Sequence, residues 1–160
     1  MRSYTYIPLW SVLVAVLSLT ACKNPDQHTG HGTEVSRQAE ADSLMADVMD
    51  GHDAGMAKYG KLKAMEQKVR AAADSLATLP LSDRQRTASR KSELDAVAGQ
   101  LRSAIEAMDR WMETFQMDSA MNDLEKRVRY LTAEKHQVNR VKEDILNSLA
   151  RADSLLKAGY

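Results

Sequence analysis

Cysteine, proline, glycine and aromatic residues are all scarce in this chain of 160 residues. Cys22 is the only cysteine, so no disulfide can form within the monomer. Three prolines and seven glycines are too few for a collagen-like or disordered sequence. With only 5% aromatic residues, the core must be built largely from Leu, Val, Ala and Met, which favours packed helices over a globular α/β body. We therefore expect one all-α domain.

An excess of charge of one sign is also missing, because 22 basic residues face 22 acidic ones. Without the first 21 residues, which contain only Arg2, the balance is 21 to 22, or −1. Such a balance predicts neither a nucleic-acid partner nor attraction to anionic lipid headgroups. No H-E-x-x-H, glycine-rich phosphate loop or G-x-S-x-G motif is present. We expect no enzyme and assign no catalytic residue.

The most apolar run in the sequence, Ile7 to Leu19, follows the single charge of Arg2. It is too short for a comfortable membrane span and lies where the apolar part of a secretory signal belongs. It ends in Leu19-Thr20-Ala21-Cys22, which resembles the lipobox of bacterial lipoproteins. The resemblance implies removal of residues 1–21 and acylation of Cys22. An ordinary signal peptide with a chance cysteine is the alternative.

Between Cys22 and the first periodic stretch, residues 22–35 are polar and rich in Gly and Pro, and we predict a flexible tether there. The protein should then be held in the cell envelope by lipid. Lys23 after the acylated cysteine is not the Asp-type signal that retains some lipoproteins in the inner membrane, so the outer membrane is favoured.

Apolar residues recur at steps of three and four over three segments, which predicts an antiparallel three-helix bundle over 36–158 with helices at 36–79, 82–116 and 118–157. Pro80 should end the first helix, and Ser82 with Gln85 suggests a capping box for the second. The third segment has a coiled-coil period, with ten apolar residues at twelve seam positions: Met117, Met121, Leu124, Val128, Leu131, Lys135, Val138, Lys142, Ile145, Leu149, Ala152 and Leu156.

The join between the second and third segments contains neither Gly nor Pro. Only Asp118 or Ser119 offers an N-cap for the third helix there. A continuous helix from Ser82 to Lys157, forming a long hairpin able to dimerise, is the alternative to three helices.

Two motifs should meet inside the bundle. Helical spacing puts four residues of the first helix on one face, Met45, Met49, His52 and Met56. The second helix offers Met108, Trp111, Met112 and Phe115. A turn centred after Pro80 places His52 opposite Asp109 and Met49 opposite Met112. A second turn near Met117 brings Leu124 and Val128 to the same level.

Thioether sulfur and imidazole suit Cu(I), so Met49, His52, Met56 and Met112 form a possible copper site. The alternative is ordinary core packing, for which methionine is well adapted, with His52 bonded to Asp109. His52-Asp53 also resembles part of a metal-dependent phosphohydrolase signature, but the further ligands that this chemistry needs are missing.

Gly51, Gly55 and Gly60 fall in the same part of the first helix, where each costs roughly 1 kcal/mol relative to alanine. Either a large side chain, with Trp111 the obvious candidate, packs closely against them or the helix bends locally; the alternative is that the helix tolerates them without a packing reason.

Three motifs resemble a group of small lipoproteins from Bacteroidetes-type bacteria that are often labelled "viral A-type inclusion protein". They are Val48-Met49-x-x-His52-Asp53-x-x-Met56, Met108-x-x-Trp111-Met112-x-x-Phe115 and Tyr130-Leu131-x-x-Glu134-Lys135. The resemblance implies a helical envelope protein and brings no established activity. This chain departs from it at Ala57, where relatives have Pro, and at Gln116-Met117-Asp118, where relatives have a Pro-containing turn.

Together these features predict a lipid-anchored helical bundle that serves as a non-enzymatic binding or structural module of the envelope, with an envelope protein or a second copy as partner. The rival function is Cu(I) binding outside the cytoplasm. No other cofactor is expected.

Overall fold

The computed structural model describes residues 29–158, which form three α-helices packed against one another as an all-α antiparallel three-helix bundle. The helices are α1 (Thr29–Ala77), α2 (Leu81–Thr114) and α3 (Leu124–Lys157). The predicted fold class is therefore confirmed. The predicted leader at 1–21, the acylated Cys22 and the tether up to residue 28 lie outside the described residues. Within 29–158, no helix has the length and apolarity needed to cross a bilayer.

The first helix begins earlier than predicted. Residues 29–35, expected to belong to the tether, are the first two turns of α1. The adjoining turn is tied to the rest of the bundle, because the guanidinium of Arg37 lies 3.6 Å from a carboxylate oxygen of Glu125. The glycines in this segment suggested a loop, but α1 runs through them.

Pro80 separates α1 from α2, as expected, but the predicted capping box does not form. The α2 N-terminus has no side-chain cap bond from Ser82 or any other residue. Instead the carbonyl oxygen of Pro80 accepts backbone N–H bonds from Asp83 at 3.0 Å and Arg84 at 2.9 Å. Because the ring already fixes the φ of Pro80 at −54°, the chain enters the helix without a polar cap.

Nine residues, 115–123, separate α2 from α3, so the continuous helix is wrong. The side chain of Arg127 is only 8% exposed and reaches back into this loop from the first turn of α3. Its Nη1 donates hydrogen bonds to the carbonyl oxygens of Met117 at 3.2 Å and Ser119 at 2.9 Å. The guanidinium of Arg127 thus satisfies two loop carbonyls that a continuous helix would have satisfied through its backbone N–H groups.

The cap of α3 is Asp123, not Asp118 or Ser119. Its carboxylate accepts the backbone N–H of Lys126 at 3.0 Å, and the Lys126 ammonium together with this backbone bond lowers the pKa of Asp123. Met117 and Met121, predicted to begin the third stripe, therefore lie in the loop and are 60% and 63% exposed. The seam begins with Leu124 instead.

The buried face of α1 follows a seven-residue repeat that fits left-handed packing of the helices. Its members are Ala41, Val48, Gly55, Leu62, Val69 and Leu76, all buried. The predicted face of Met45, Met49, His52 and Met56 lies beside this line, because these four residues are only half-buried. The apolar pattern did not reveal the centre of this face, since glycine contributes nothing to such a pattern. The centre contains Ala41 and Val48 with the buried Gly51 and Gly55.

Candidate functional site

Four aromatic rings run across the bundle and connect all three helices. The ring centroids of His52 in α1 and Trp111 in α2 are 5.6 Å apart. Trp111 stacks on Phe115 at 4.8 Å, and Phe115 stacks on Tyr130 of α3 at 6.2 Å. Such spacings are typical of favourable aromatic pairs. We call these four residues the aromatic stack.

Trp111 is the centre of the stack and is 2% exposed. Its indole Nε1–H donates a hydrogen bond to Oε2 of Glu134 at 2.8 Å. A bond to an ionised acceptor is stronger than one between neutral groups, so this contact fixes α2 against α3. The indole N–H, which would be costly to bury alone, is satisfied within the bundle.

Tyr130 fixes the chain where α2 ends. Its hydroxyl oxygen accepts the backbone N–H of Gln116 at 2.7 Å, and the Phe115 N–H donates to the Trp111 carbonyl at 2.9 Å. Burial raises the pKa of Tyr130, so the phenol stays neutral at physiological pH. The stack and the first loop residues thus form one hydrogen-bonded unit.

His52 does not meet Asp109 as predicted. Its Nδ1 lies 2.9 Å from Oδ1 of the neighbouring Asp53, and the side chain is 21% exposed. Asp109 instead accepts a hydrogen bond from the hydroxyl of Tyr59, and this bond raises the pKa of Tyr59 to about 12. The imidazole still packs on the indole of Trp111, so the predicted meeting of the two motifs is confirmed with a different polar partner.

Two of the three glycines permit close packing beside the stack. An added Cβ would lie 2.9 Å from Cγ1 of Val138 at Gly51, and 2.5 Å from Cε of Met108 at Gly55. At Gly60 it would meet nothing within 4 Å. Close approach therefore explains Gly51 and Gly55, through Val138 and Met108 rather than through Trp111. Gly60 has no packing reason.

The four predicted copper ligands are not equally placed. Met49, His52 and Met56 follow one another along α1 and are half-buried, as is Met45. Met112 is 38% exposed, because α2 turns Trp111 and Met108 inward and this residue outward. Among the residues that the structure describes, no group of three or more His, Cys, Asp or Glu side chains is placed to hold a metal ion.

Glu134 and Tyr130 are the site residues that periodicity did not find. The expected register put Leu124 and Val128 at the level of the stack, which is wrong because the loop takes up residues 115–123. Glu134, six residues beyond Val128, occupies that level instead. A usable signal was present, since Tyr130 and Glu134 lie four apart on one helical face next to buried Leu131.

The contacts of the aromatic stack join the three helices to one another. The indole N–H of Trp111 donates to Glu134, the hydroxyl of Tyr130 accepts the Gln116 N–H, and Nδ1 of His52 lies beside Asp53. A groove of about 620 Å³ lies elsewhere between α2 and α3, with Gly99, Ser103, Asp144 and Arg151 among its lining residues. Ser103 is eight residues, roughly 12 Å, along α2 from Trp111.

Comparison with known proteins yields no relative from which a role for the stack or the groove can be transferred. No family model, curated protein or solved structure matches this chain.

Proposed function

We propose that this protein is a lipid-anchored lipoprotein of the bacterial cell envelope. The support is the lipobox-like Leu19-Thr20-Ala21-Cys22 after an apolar leader, followed within seven residues by the start of α1 at Thr29. Acyl chains bind a bilayer by roughly 0.8 kcal/mol per buried methylene, so two or three chains hold firmly.

We further propose that the bundle is a non-enzymatic binding or structural module. The observation that carries this is the use of the motif residues. Trp111 is 2% exposed and donates its indole N–H hydrogen bond to Glu134. Phe115 and Tyr130 stack where α2 ends, and the Tyr130 hydroxyl accepts the backbone N–H of Gln116. Residues used in this way stabilise a rigid rod and do not contact a substrate. The outer faces of the helices are then the surfaces that meet an envelope protein or a second copy.

The test is fractionation and crosslinking of the full chain expressed in a lipoprotein-processing bacterium. The chain should be found in the membrane fraction, preferably the outer membrane, and a Cys22→Ser variant should not. Crosslinkers on exposed lysines such as Lys58 and Lys68 should capture one recurring envelope protein or a dimer. Recovery of monomer alone, from membranes that contain the anchored chain, would contradict the role as a binding module.

Copper binding is the second candidate. It is favoured by the partial exposure of His52 beside Met49 and Met56 on one helix, which leaves a soft ligand set within reach of solvent. Titration of the non-acylated Cys22→Ser chain with Cu(I) against a competing chelator decides it. A Met49→Leu/His52→Ala variant should lose at least about tenfold in affinity, while Met121→Leu, outside the cluster, should not. Equal affinity of all three proteins removes the candidate.

A further inference from the structure

One end of the bundle carries an unusual share of the exposed apolar side chains. In the part of the chain with described side chains, six large hydrophobic residues are exposed, and three of them lie in the early turns of α1 or in the loop between α2 and α3. These are Val35 at 69%, Met117 at 60% and Met121 at 63% exposure. We call these three residues the apolar end. Apolar residues gathered on a protein surface usually mark an interaction site.

The apolar end has a defined shape. A groove of about 410 Å³ separates the early turns of α1 from the loop and is lined by Val35, Met121 and Leu124 together with polar neighbours. The bonds from Arg127 to the carbonyls of Met117 and Ser119 fix the loop backbone. The methionines are therefore presented from an ordered loop, and their exposure is a property of the native fold.

The proposed anchor at Cys22 determines which end of the bundle lies beside the bilayer. Seven steps of chain separate Cys22 from Thr29, and even fully extended they span at most about 25 Å. Thr29 lies six residues, about 9 Å, beyond Val35 along α1. The turn near Leu81 lies at the other end of α2, about 50 Å away. An acyl group on Cys22 would thus keep the apolar end, and not the opposite end, beside the bilayer.

We propose that the apolar end rests in the interfacial region of the bilayer and acts as a second membrane contact. This inference rests on the proposed acylation of Cys22. The charges on the loop and the adjoining turns show no basic excess, since four acidic residues face three basic ones, so the contact needs apolar insertion and not anionic headgroups. They are Glu34, Asp118, Asp123 and Glu125 against Arg37, Lys126 and Arg127. The flexible methionines suit an irregular, fluid surface.

Methionine oxidation tests the contact with the natural side chains. The acylated chain is reconstituted in phosphatidylcholine vesicles and treated with hydrogen peroxide, and the oxidation of each methionine is followed by mass spectrometry. Burying roughly two methylene equivalents favours the inserted state about tenfold, so Met117 and Met121 should oxidise about tenfold more slowly than in the soluble Cys22→Ser chain. Met112, 38% exposed on the side of α2, is the internal control and should oxidise equally in both.

A matched pair of variants sharpens the test. Met121→Gln should restore faster oxidation of Met117 on vesicles, whereas Met112→Gln should leave it slow. Equal oxidation of Met117 and Met121 in the acylated and soluble chains, while the acylated chain floats with the vesicles, overturns the second contact and leaves the anchor intact. Slow oxidation already in the soluble chain without vesicles also overturns it, because a protein surface then covers this end. A chain without an acyl group on Cys22 refutes the proposed anchor itself.

Discussion

The close packing of α1 on α3 at Gly51 gives a sharp stability prediction, because α1 contains its own control at Gly60. At Gly60 an added methyl group meets no heavy atom within 4 Å. Gly60→Ala should therefore show only the helix-propensity gain, about 1 kcal/mol of added stability. At Gly51 the same methyl carbon would lie 2.9 Å from Cγ1 of Val138. Valine is stiff about χ1 in a helix, so the contact is relieved only by moving the helices apart.

Overpacking of this kind costs about 1–3 kcal/mol, which outweighs the propensity gain. Gly51→Ala should lower the free energy of unfolding by about 1 kcal/mol, so the two variants should differ by about 2 kcal/mol. Gly55→Ala should fall between them, since its neighbour is the flexible methyl end of Met108.

The assay is urea unfolding of the chain from residue 23 onward, followed by circular dichroism at the helical band. The slope of the free energy of unfolding against urea concentration must be the same in all variants, so that differences between the unfolding midpoints report differences in stability alone. A Gly51→Ala protein as stable as Gly60→Ala would refute the close packing of α1 on α3 and the reason given for this glycine.

Three further predictions concern the loop, the stack and pH. Ala120→Gly should stabilise the fold by about 1 kcal/mol in the same assay, because Ala120 has a φ of 55° that favours glycine; a loss would contradict the loop geometry. Trp111→Phe should lower the free energy of unfolding by about 1–3 kcal/mol or more, because it removes the N–H that donates to Glu134. Glu134→Gln keeps an acceptor and should lower it by less, and the reverse order would count against this bond. The pKa of Tyr59 is raised from its ordinary 10.0 to about 12. Its bond to Asp109 should therefore contribute fully to the stability of the fold below pH 10 and be lost as the pH rises through about 12. The difference in ultraviolet titration between the wild type and Tyr59→Phe measures the pKa of Tyr59, and ionisation near pH 10 would disprove the prediction.

The architecture followed from apolar spacing, because each of the three helices has one face that repeats over many turns. Leu131, Val138, Ile145 and Leu149 of α3 were predicted at the seam and are all buried. Pro80 marked the first turn correctly, since its geometry acts on the local chain. Long periodicity and the proline were thus reliable guides, whereas the polar caps predicted for α2 and α3 were not.

The site was predicted only in part, for a physical reason. His52 and Trp111 meet as expected, but Glu134 was missed because the loop after Thr114 depends on a distant residue, Arg127, that satisfies its carbonyls. The apolar pattern does not mark this loop, and its nine residues, 115–123, shift the register of α3. Gly51 was recognised as unusual, but its neighbour Val138 follows only from the three-dimensional packing.

The most direct test of the account is mass spectrometry of the full chain purified from bacterial membranes. The proposal predicts a mature protein whose first residue is Cys22, bearing a diacylglyceryl thioether, with residues 1–21 absent. A mature chain that begins at another residue and carries Cys22 as an unmodified thiol would contradict the lipid anchor, and with it the envelope function proposed for the bundle.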